Sequence, residues 1–222
     1  MHKWFVSDEF DGASKAAADF LAGHIEACIQ QKGVCHVALP GGNTPAHCLS
    51  YLAGKKLSWE QINWYLGDER CYPSGHTERN DVMLDKNLWS HISTSNIHRI
   101  PAEFGAEQAA KLYREIVNSI DHFDIIFLGM GEDGHTASLF PGNEALHDTR
   151  SVIPVYNSPK APADRVSLSV NTIKKAKCRM VLTGGAAKSD VIRRVKKGES
   201  LPINCLGDIN WFVDKAALTE SM

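Results

Sequence analysis

One histidine, His135, stands in a glycine-rich segment whose residue types suit proton transfer. The segment reads GMGEDGH (129–135) and directly follows the apolar run FDIIFL. A neutral imidazole accepts a proton near neutral pH, because its unperturbed pKa is about 6.5. We predict that the glycines bend the loop so that Asp133 and His135 face a cleft. The alternative for a lone loop histidine is a structural or merely exposed side chain.

The same segment contains the pattern Gly-x-Gly-x-x-Gly, which also occurs in dinucleotide-binding proteins. Two features argue against that interpretation: Pro141 follows too soon for the long helix that would carry a pyrophosphate, and no acid ends a second strand about 20 residues later. The sequence has no Gly-x-Ser-x-Gly elbow, no His-Glu-x-x-His and no Cys/His spacing typical of zinc sites. We therefore expect no metal.

A second glycine-rich segment, PGGNTP (40–45), follows another apolar run. Gly41 and Gly42 let the backbone approach a ligand closely, and Asn43 or Thr44 can cap a helix that starts here. A helix start offers free N–H groups and a partial positive charge, which suit a phosphate. A tight turn that only reverses the chain is an equally good interpretation of this segment alone.

Three basic side chains and one acid lie near other predicted strand ends. Asp68 and Arg70 follow INWYLG, Arg165 follows a proline-rich loop, and Lys188 lies one turn into a predicted helix. Each alone is most simply a solvated charge or a member of a local ion pair. Together with a helix start and a histidine, however, three cations indicate a small phosphorylated substrate. Each charge-assisted hydrogen bond to its phosphate would contribute roughly 1.5–3 kcal/mol.

The elements that must position these residues alternate along the chain. We predict strands at 34–40, 62–67, 97–100, 123–129, 151–156, 165–170, 178–184 and 209–213, and helices at 11–31, 44–53, 79–89, 106–120 and 186–197. This alternation favours a doubly wound, mostly parallel α/β sheet with helices on both faces, in a single domain spanning residues 1–222. Ligand sites of such sheets lie beyond the carboxyl ends of the strands.

Composition limits the possible partners. The 222 residues carry a net charge of −2, with 43% apolar and 23% charged residues, so bulk charge favours neither nucleic acid nor membrane. No apolar run approaches the ~20 residues that span a bilayer. The start, MHKWFVSDEFDG, turns acidic too soon for a secretion signal. Six cysteines without paired spacing predict reduced, mostly buried thiols in a cytoplasmic protein.

The sequence resembles the 6-phosphogluconolactonase family along nearly its whole length. The matching segments are LPGGNTP, WYLGDERCYP with the following ERN, LGMGEDGHTASLFPG, SPKAPADRVSLS, LTGGAAK and INWFVDKAA. The resemblance implies a Rossmann-like fold and a lactone hydrolase of the oxidative pentose phosphate pathway. Such an enzyme converts 6-phospho-D-glucono-1,5-lactone to 6-phosphogluconate without a cofactor, and no obligate protein partner is implied.

The resemblance also assigns residues. The family's catalytic histidine falls on His135, with the neighbouring acid on Asp133, and its phosphate-binding basic positions fall on Arg70, Arg165 and Lys188. The expected mechanism has neutral His135 take a proton from water while hydroxide adds to the lactone carbonyl. Substrate contacts are also expected from the 41–44 turn and from Asp68.

Two other functions are weighed. Glucosamine-6-phosphate deaminases also have an Asp-Gly-His motif, but Phe140 stands where that family has a catalytic Glu, and Arg70 replaces its Tyr. A non-catalytic sugar-phosphate sensor would generally carry an added DNA-binding segment, whereas the predicted fold uses the whole chain. Both readings are therefore ranked below the lactonase.

Overall fold

The computed structural model describes residues 2–219. Its strands are β1 (Lys3–Ser7), β2 (Cys35–Leu39), β3 (Ile62–Leu66), β4 (Asp68–Arg70), β5 (Ile97–His98), β6 (Ile125–Leu128), β7 (Val152–Val155), β8 (Arg165–Leu168), β9 (Cys178–Leu182) and β10 (Asn210–Asp214). Its α-helices are α1 (Phe10–Lys32), α2 (Asn43–Ala53), α3 (Asn80–Asn87), α4 (Ala106–Val117), α5 (Val170–Lys175) and α6 (Ser189–Lys196).

Seven strands form one parallel sheet in the order β1-β10-β9-β6-β2-β3-β5. The sheet grows in two directions from its middle: β3 and β5 lie to one side of β2, while β9 and β10 lie beyond β6 on the other. A crevice forms where the strand order reverses, beyond the carboxyl ends of β2 and β6. The predicted mostly parallel α/β sheet is confirmed.

The central strands are covered on both faces, as their continuous apolar sequences require. No residue of β6 is more than 1% exposed. α1 packs across the sheet and buries Ala17, Leu21 and Ile25, which recur at four-residue spacing. It ends at Gly33, whose φ of 80° is left-handed and therefore suits glycine. The spacing of the apolar residues also predicts His24 on this face, but His24 is exposed and its ring lies against that of Phe20.

A second, three-stranded antiparallel sheet, β4-β8-β7, was not predicted as a separate unit. The segments 151–156 and 165–170 do form strands, but they pair with each other and with β4 instead of extending the main sheet. β4 follows β3 after the single residue Gly67, where a solvated turn was the simplest expectation. It is instead largely buried, and Glu69 is fully inaccessible.

The helix predicted over 106–120 ends at Val117, and its buried face is displaced by one position. The apolar spacing predicts a buried face of Ala109, Leu112, Ile116 and Ile120. Ala109 is buried, whereas Tyr113 is buried in place of Leu112. The Tyr113 hydroxyl accepts the Leu66 N–H at 2.9 Å and donates to the Leu66 carbonyl at 3.1 Å. A tyrosine with a polar partner in the core is therefore as well accommodated as an aliphatic side chain.

Other differences are local. β1 and α5 were not predicted, and the helix predicted over 186–197 begins with a 3₁₀ turn, Ala186–Lys188, before α6. Among the six unpaired thiols only Cys35 and Cys48 are fully buried, and Cys205 is exposed. Within residues 2–219 no helix is both long enough and apolar enough to cross a membrane.

Candidate active site

A cleft of about 230 Å³ opens at the point where the strand order reverses. It collects residues that are up to 148 positions apart in the sequence. Its walls include nine of the ten predicted site residues: Gly41, Gly42, Asn43, Thr44, Asp68, Arg70, His135, Arg165 and Lys188. The tenth, Asp133, lies directly behind His135. A larger hollow of about 750 Å³ on the described surface contains none of these residues.

The loop after β6 folds back on itself and holds His135 against Asp133. Asp133 Oδ1 lies 2.5 Å from His135 Nδ1 and accepts the His135 backbone N–H at 3.1 Å. The bend needs a glycine at position 131, because a Cβ there would lie 2.1 Å from the imidazole. The ring also packs on Phe140, with 4.6 Å between centroids. Two residues so close in sequence can therefore touch.

This contact determines which imidazole nitrogen is available. When Nδ1–H donates to Asp133, Nε2 carries the lone pair and is the basic nitrogen. Burial lowers the pKa of His135 below its usual value, while Asp133 partly opposes that change. Burial raises the pKa of Asp133, but the hydrogen bonds from His135 outweigh it and the net pKa is lowered. Near neutral pH the arrangement is a neutral base oriented by an ionised carboxylate.

The turn after β2 forms another wall of the cleft. Gly42 precedes the first residue of α2 with a φ of 97°, a conformation that favours glycine. A Cβ at Gly41 would lie 1.8 Å from Asn80 Oδ1, so this position also requires glycine. Contrary to the prediction, neither Asn43 nor Thr44 caps the helix, because both lie inside its first turn. The N–H groups there have no intrahelical acceptor and lie at the wall of the cleft, an arrangement that suits an anion.

Arg165 is a buried cation without a counterion in the described part of the chain. Its side chain is 4% exposed, and its guanidinium donates to three carbonyls, those of residues 160, 161 and 162, at 3.0–3.3 Å. It also lies over the Phe140 ring at 5.5 Å. Burial lowers the pKa of Arg165, and Asp68 opposes this. An isolated buried charge is costly, so this arginine is suited to an anionic ligand.

Arg70 and Lys188 approach the cleft from two other elements. Arg70 pairs with Arg165 across β4 and β8, and its Nη1 donates to the Glu78 carbonyl at 2.6 Å. Lys188 Nζ donates to the Met130 carbonyl at 2.9 Å, which ties it to the loop that carries His135. Burial lowers the pKa of Lys188.

Asp68 is held by a network of neutral donors. Its Oδ2 accepts from Ser138 Oγ at 2.6 Å, and its Oδ1 accepts from Asn80 Nδ2 at 3.3 Å. The Ser138 N–H in turn donates to Ser167 Oγ at 3.3 Å, so the small sheet and the histidine loop are fastened together. Asp68 is therefore fixed in the cleft wall with both oxygens partnered.

Sequence reasoning missed several residues of the cleft. Lys160 adds a fourth cation from the proline-rich loop, and Asn80 lies between Gly41 and Asp68. Ala137, also in the wall, has a φ of 48°, a strained conformation for a residue with a Cβ. Lys160 and Asn80 lie in segments that resemble the family, which was the signal available. Nothing in the sequence marks the conformation of Ala137.

Comparison with known proteins identifies relatives of this fold and site. Residues 8–211 match the family model described as glucosamine-6-phosphate isomerases/6-phosphogluconolactonase. The chain is 32% identical to a 6-phosphogluconolactonase of Mycobacterium leprae over 92% of each chain. It is also 32% identical to that of Haemophilus influenzae, over 82% of this chain and 86% of the relative.

Solved structures show the same fold. The 6-phosphogluconolactonase of Thermotoga maritima has a TM-score of 0.90 at 26% identity, covering 97% of this chain and all of the other. A monomeric glucosamine-6-phosphate deaminase has a TM-score of 0.85 at 20% identity, with 98% of this chain and all of that one covered. The fold is thus common to both activities, and only the residues in the cleft can distinguish them.

Proposed function

Because the chain belongs to the family of glucosamine-6-phosphate isomerases and 6-phosphogluconolactonases, we propose that it hydrolyses 6-phospho-D-glucono-1,5-lactone with His135 as the base. The product is 6-phospho-D-gluconate, and the reaction belongs to the oxidative pentose phosphate pathway. The observation that carries the proposal is that His135, held by Asp133, lines the same cleft as Arg165, a buried cation with no carboxylate partner among residues 2–219.

The cations divide into two groups in this proposal. Arg70 and Arg165, which pair across two strands, bind the phosphate together with the N–H groups at the start of α2. Lys188 lies against the histidine loop and stabilises the oxyanion that forms at the lactone carbonyl. The Gly131 and Gly134 N–H groups already donate within the loop, at 2.9 and 3.1 Å, so they do not serve this purpose.

In the proposed reaction His135 moves one proton from the attacking water to the departing ring oxygen. Phosphate binding fixes the lactone carbonyl near His135, which removes much of the entropy cost of the encounter. Nε2 takes a proton from water, the water oxygen bonds to the carbonyl carbon, and a tetrahedral oxyanion forms. Collapse of the oxyanion breaks the bond from carbon to the ring oxygen, which receives the proton from His135. Asp133 holds the ring in orientation throughout.

Deamination of glucosamine 6-phosphate is the competing reaction on this fold. The deaminase family has a catalytic Glu at the position of Phe140, which here is 1% exposed and packs on both His135 and Arg165. A phenyl ring supplies no proton and no negative charge for ring opening. The composition of the cleft therefore favours the lactonase.

The direct test supplies each substrate in turn. Fresh 6-phosphogluconolactone should release acid above the spontaneous rate, and glucosamine 6-phosphate should release no ammonia. His135→Ala should lower kcat on the order of 100- to 10,000-fold, the usual contribution of a general base, while His91→Ala, on the exposed surface, should retain full activity. Ammonia release, or an unimpaired His135→Ala, would contradict the proposal.

Two coarser expectations accompany the proposed reaction. Residues 1–222 act as one lactonase domain, supported by the single cleft built from segments between positions 41 and 188. A cytoplasmic location is supported by six unpaired thiols.

A further inference from the structure

Two thiols and a carboxylate lie together at the amino ends of the central strands, the edge opposite the cleft. Cys28 lies in the last turns of α1, Cys35 is the first residue of β2, and Asp124 immediately precedes β6. Their two sulfur atoms and one carboxylate oxygen all lie within 4.8 Å of one another. β2 has five residues, so about 16 Å of strand separates this cluster from the cleft.

The carboxylate in this cluster has an oxygen without a partner. Asp124 is 4% exposed, and its Oδ2 accepts from the His36 N–H and from Lys32 Nζ, both at 2.8 Å. Its Oδ1 is buried and has no hydrogen-bond donor among residues 2–219. His122 Nε2, 4.0 Å from Oδ1, is also buried and unpartnered there. Buried polar atoms normally have a hydrogen-bond partner, so two neighbouring atoms without one indicate that a ligand binds here.

We propose that Cys28, Cys35 and Asp124 bind a thiophilic divalent cation such as Zn²⁺, with a fourth ligand supplied by water or by the neighbouring His122, whose Nε2 lies 4.0 Å from Asp124 Oδ1. Thiolate, imidazole and carboxylate are the groups that zinc selects, usually four of them in a tetrahedron. Neighbouring ligand atoms in such a tetrahedron are about 3.3–3.8 Å apart, given metal–ligand bonds of 2.0–2.3 Å. The three atoms of the observed cluster lie within 4.8 Å of one another, so the ligands would draw closer together when the cation binds.

Binding exchanges protons for the metal. The ordinary pKa of a thiol is about 8.5, so a cysteine without a metal carries its proton near neutral pH. When the cation binds, two S–H bonds break, two S–metal bonds form, and two protons pass to the solvent. Two thiolates and one carboxylate contribute three negative charges, which a divalent cation and the Lys32 ammonium neutralise together. The lysine therefore complements the site and remains on Oδ2.

The bound cation would add a link among three elements that the Lys32–Asp124 ion pair and the His36–Asp124 hydrogen bond already join at this edge. It would fasten the end of α1 to the starts of β2 and β6 and stabilise the folded chain by mass action. It takes no part in lactone hydrolysis, because none of its ligands lines the cleft. The spacing Cys-x₆-Cys with a distant Asp matches no zinc motif, so the sequence alone gave no sign of it.

The test is titration of the reduced, full-length protein with Co²⁺, which replaces Zn²⁺ and absorbs in the near ultraviolet when bound to thiolate. Wild type should bind one Co²⁺ per chain with this band and should release about two protons per ion. Cys28→Ser and Cys35→Ser should each weaken binding at least tenfold and reduce the band. Cys178→Ser is the matched control, a half-buried cysteine at the start of β9, and should behave as wild type.

Zn²⁺ should also raise the melting temperature of wild type and of Cys178→Ser, and not that of Cys28→Ser. Retained lactonase activity shows that each variant is folded. Cys28 is half-buried, so Cys28→Ser serves as the readout if Cys35→Ser fails to fold. Absence of the thiolate band in wild type, or its full retention in Cys28→Ser, would overturn the site.

Discussion

At the scale of single residues, the two nitrogens of His135 have different tasks. Nδ1 is taken up by Asp133 at 2.5 Å, which leaves Nε2 for the water. Burial lowers the pKa of the imidazole, so the base stays neutral at a lower pH than a free histidine does. The ionised carboxylate also stabilises the imidazolium that forms during the reaction.

The first prediction concerns Asp133→Asn. Asp133 raises the pKa of His135, so its removal should move the acid limb of the kcat/KM profile to lower pH. An asparagine oxygen still accepts from Nδ1, but it no longer stabilises the imidazolium, so kcat should fall about tenfold or more. The measurement is kcat/KM across pH 4.5–8 for both proteins. An acid limb that moved upward would show that Asp133 does not face the titrating base.

The second prediction concerns Arg165, the buried guanidinium that has no carboxylate partner in the part of the chain that the structure describes. Arg165→Ala should raise KM with little change in kcat, by about 10- to 150-fold for a lost bond of roughly 1.5–3 kcal/mol. Arg179→Ala is a matched control: Arg179 also donates to three carbonyls, at 2.6–2.9 Å, but lies away from the cleft. Equal changes in KM for the two substitutions would mean that Arg165 only stabilises its loop and does not bind the substrate.

The sequence indicated which side chains carry the chemistry better than it indicated which other residues surround them in the cleft. His135 and Arg165 could be selected because a glycine loop and the family motif mark them. Lys160 and Asn80 could not be placed in the cleft from the sequence, since their contributions depend on how loops fold over the strand ends. For the same reason, only the three-dimensional structure shows that Asp124 Oδ1 has no hydrogen-bond donor among the described residues.

At the scale of elements, Glu69 fastens α3 to the small sheet. Its Oε1 accepts the Asn80 N–H at 2.7 Å and the Arg70 N–H at 2.8 Å, and its Oε2 accepts the Asp81 N–H at 2.9 Å. Asn80 then reaches the turn at Gly41. A carboxylate from β4 thus caps a helix that has no side-chain cap of its own and sets one wall of the cleft.

The third prediction follows from this cap. In Glu69→Gln an amide NH₂ must face a backbone N–H, which should lower the free energy of unfolding by about 1–3 kcal/mol at pH 5. Burial raises the pKa of Glu69 to about 7, above its usual 4.5. A group with a raised folded pKa stabilises most below its unfolded pKa and loses that contribution as pH rises. The difference in the free energy of unfolding between wild type and Glu69→Gln should therefore become smaller between pH 4.5 and 7.

Urea unfolding of both proteins at pH 5 and pH 8 measures this change, with surface Glu60→Gln as the control. A deficit that grew with pH would mean that the three N–H donors outweigh burial, and that the carboxylate is the stabilised form.

Helices and strands were predictable wherever the apolar residues followed one clear pattern along the sequence. β6 is continuously apolar and α1 repeats its buried residues every four positions, so both were predicted close to their observed bounds. β4 has only three residues, Asp68–Arg70, all of them charged. Its pairing with β8 depends on a contact almost 100 residues away, which local pattern does not encode.

At the scale of the whole molecule, the cleft exists only when the sheet is assembled. β2 supplies the glycine turn, β6 the histidine loop, and the small sheet supplies Arg70 and Arg165. These parts meet because the strand order reverses between β2 and β6. A ligand that needs all of them binds the native state and has no equivalent site on the unfolded chain.

The last prediction applies this linkage to the reaction product. At about 100 times its dissociation constant, 6-phosphogluconate should add about 2.7 kcal/mol to the free energy of unfolding. For a chain of this size that raises the melting temperature by about 5–11 °C. Gluconate without the phosphate should give a much smaller shift at the same concentration, and the difference should largely disappear in Arg165→Ala. Since the phosphate bonds are charge-assisted, added salt should also reduce the shift. Equal shifts with gluconate and 6-phosphogluconate would mean that the buried guanidinium does not select a phosphorylated ligand.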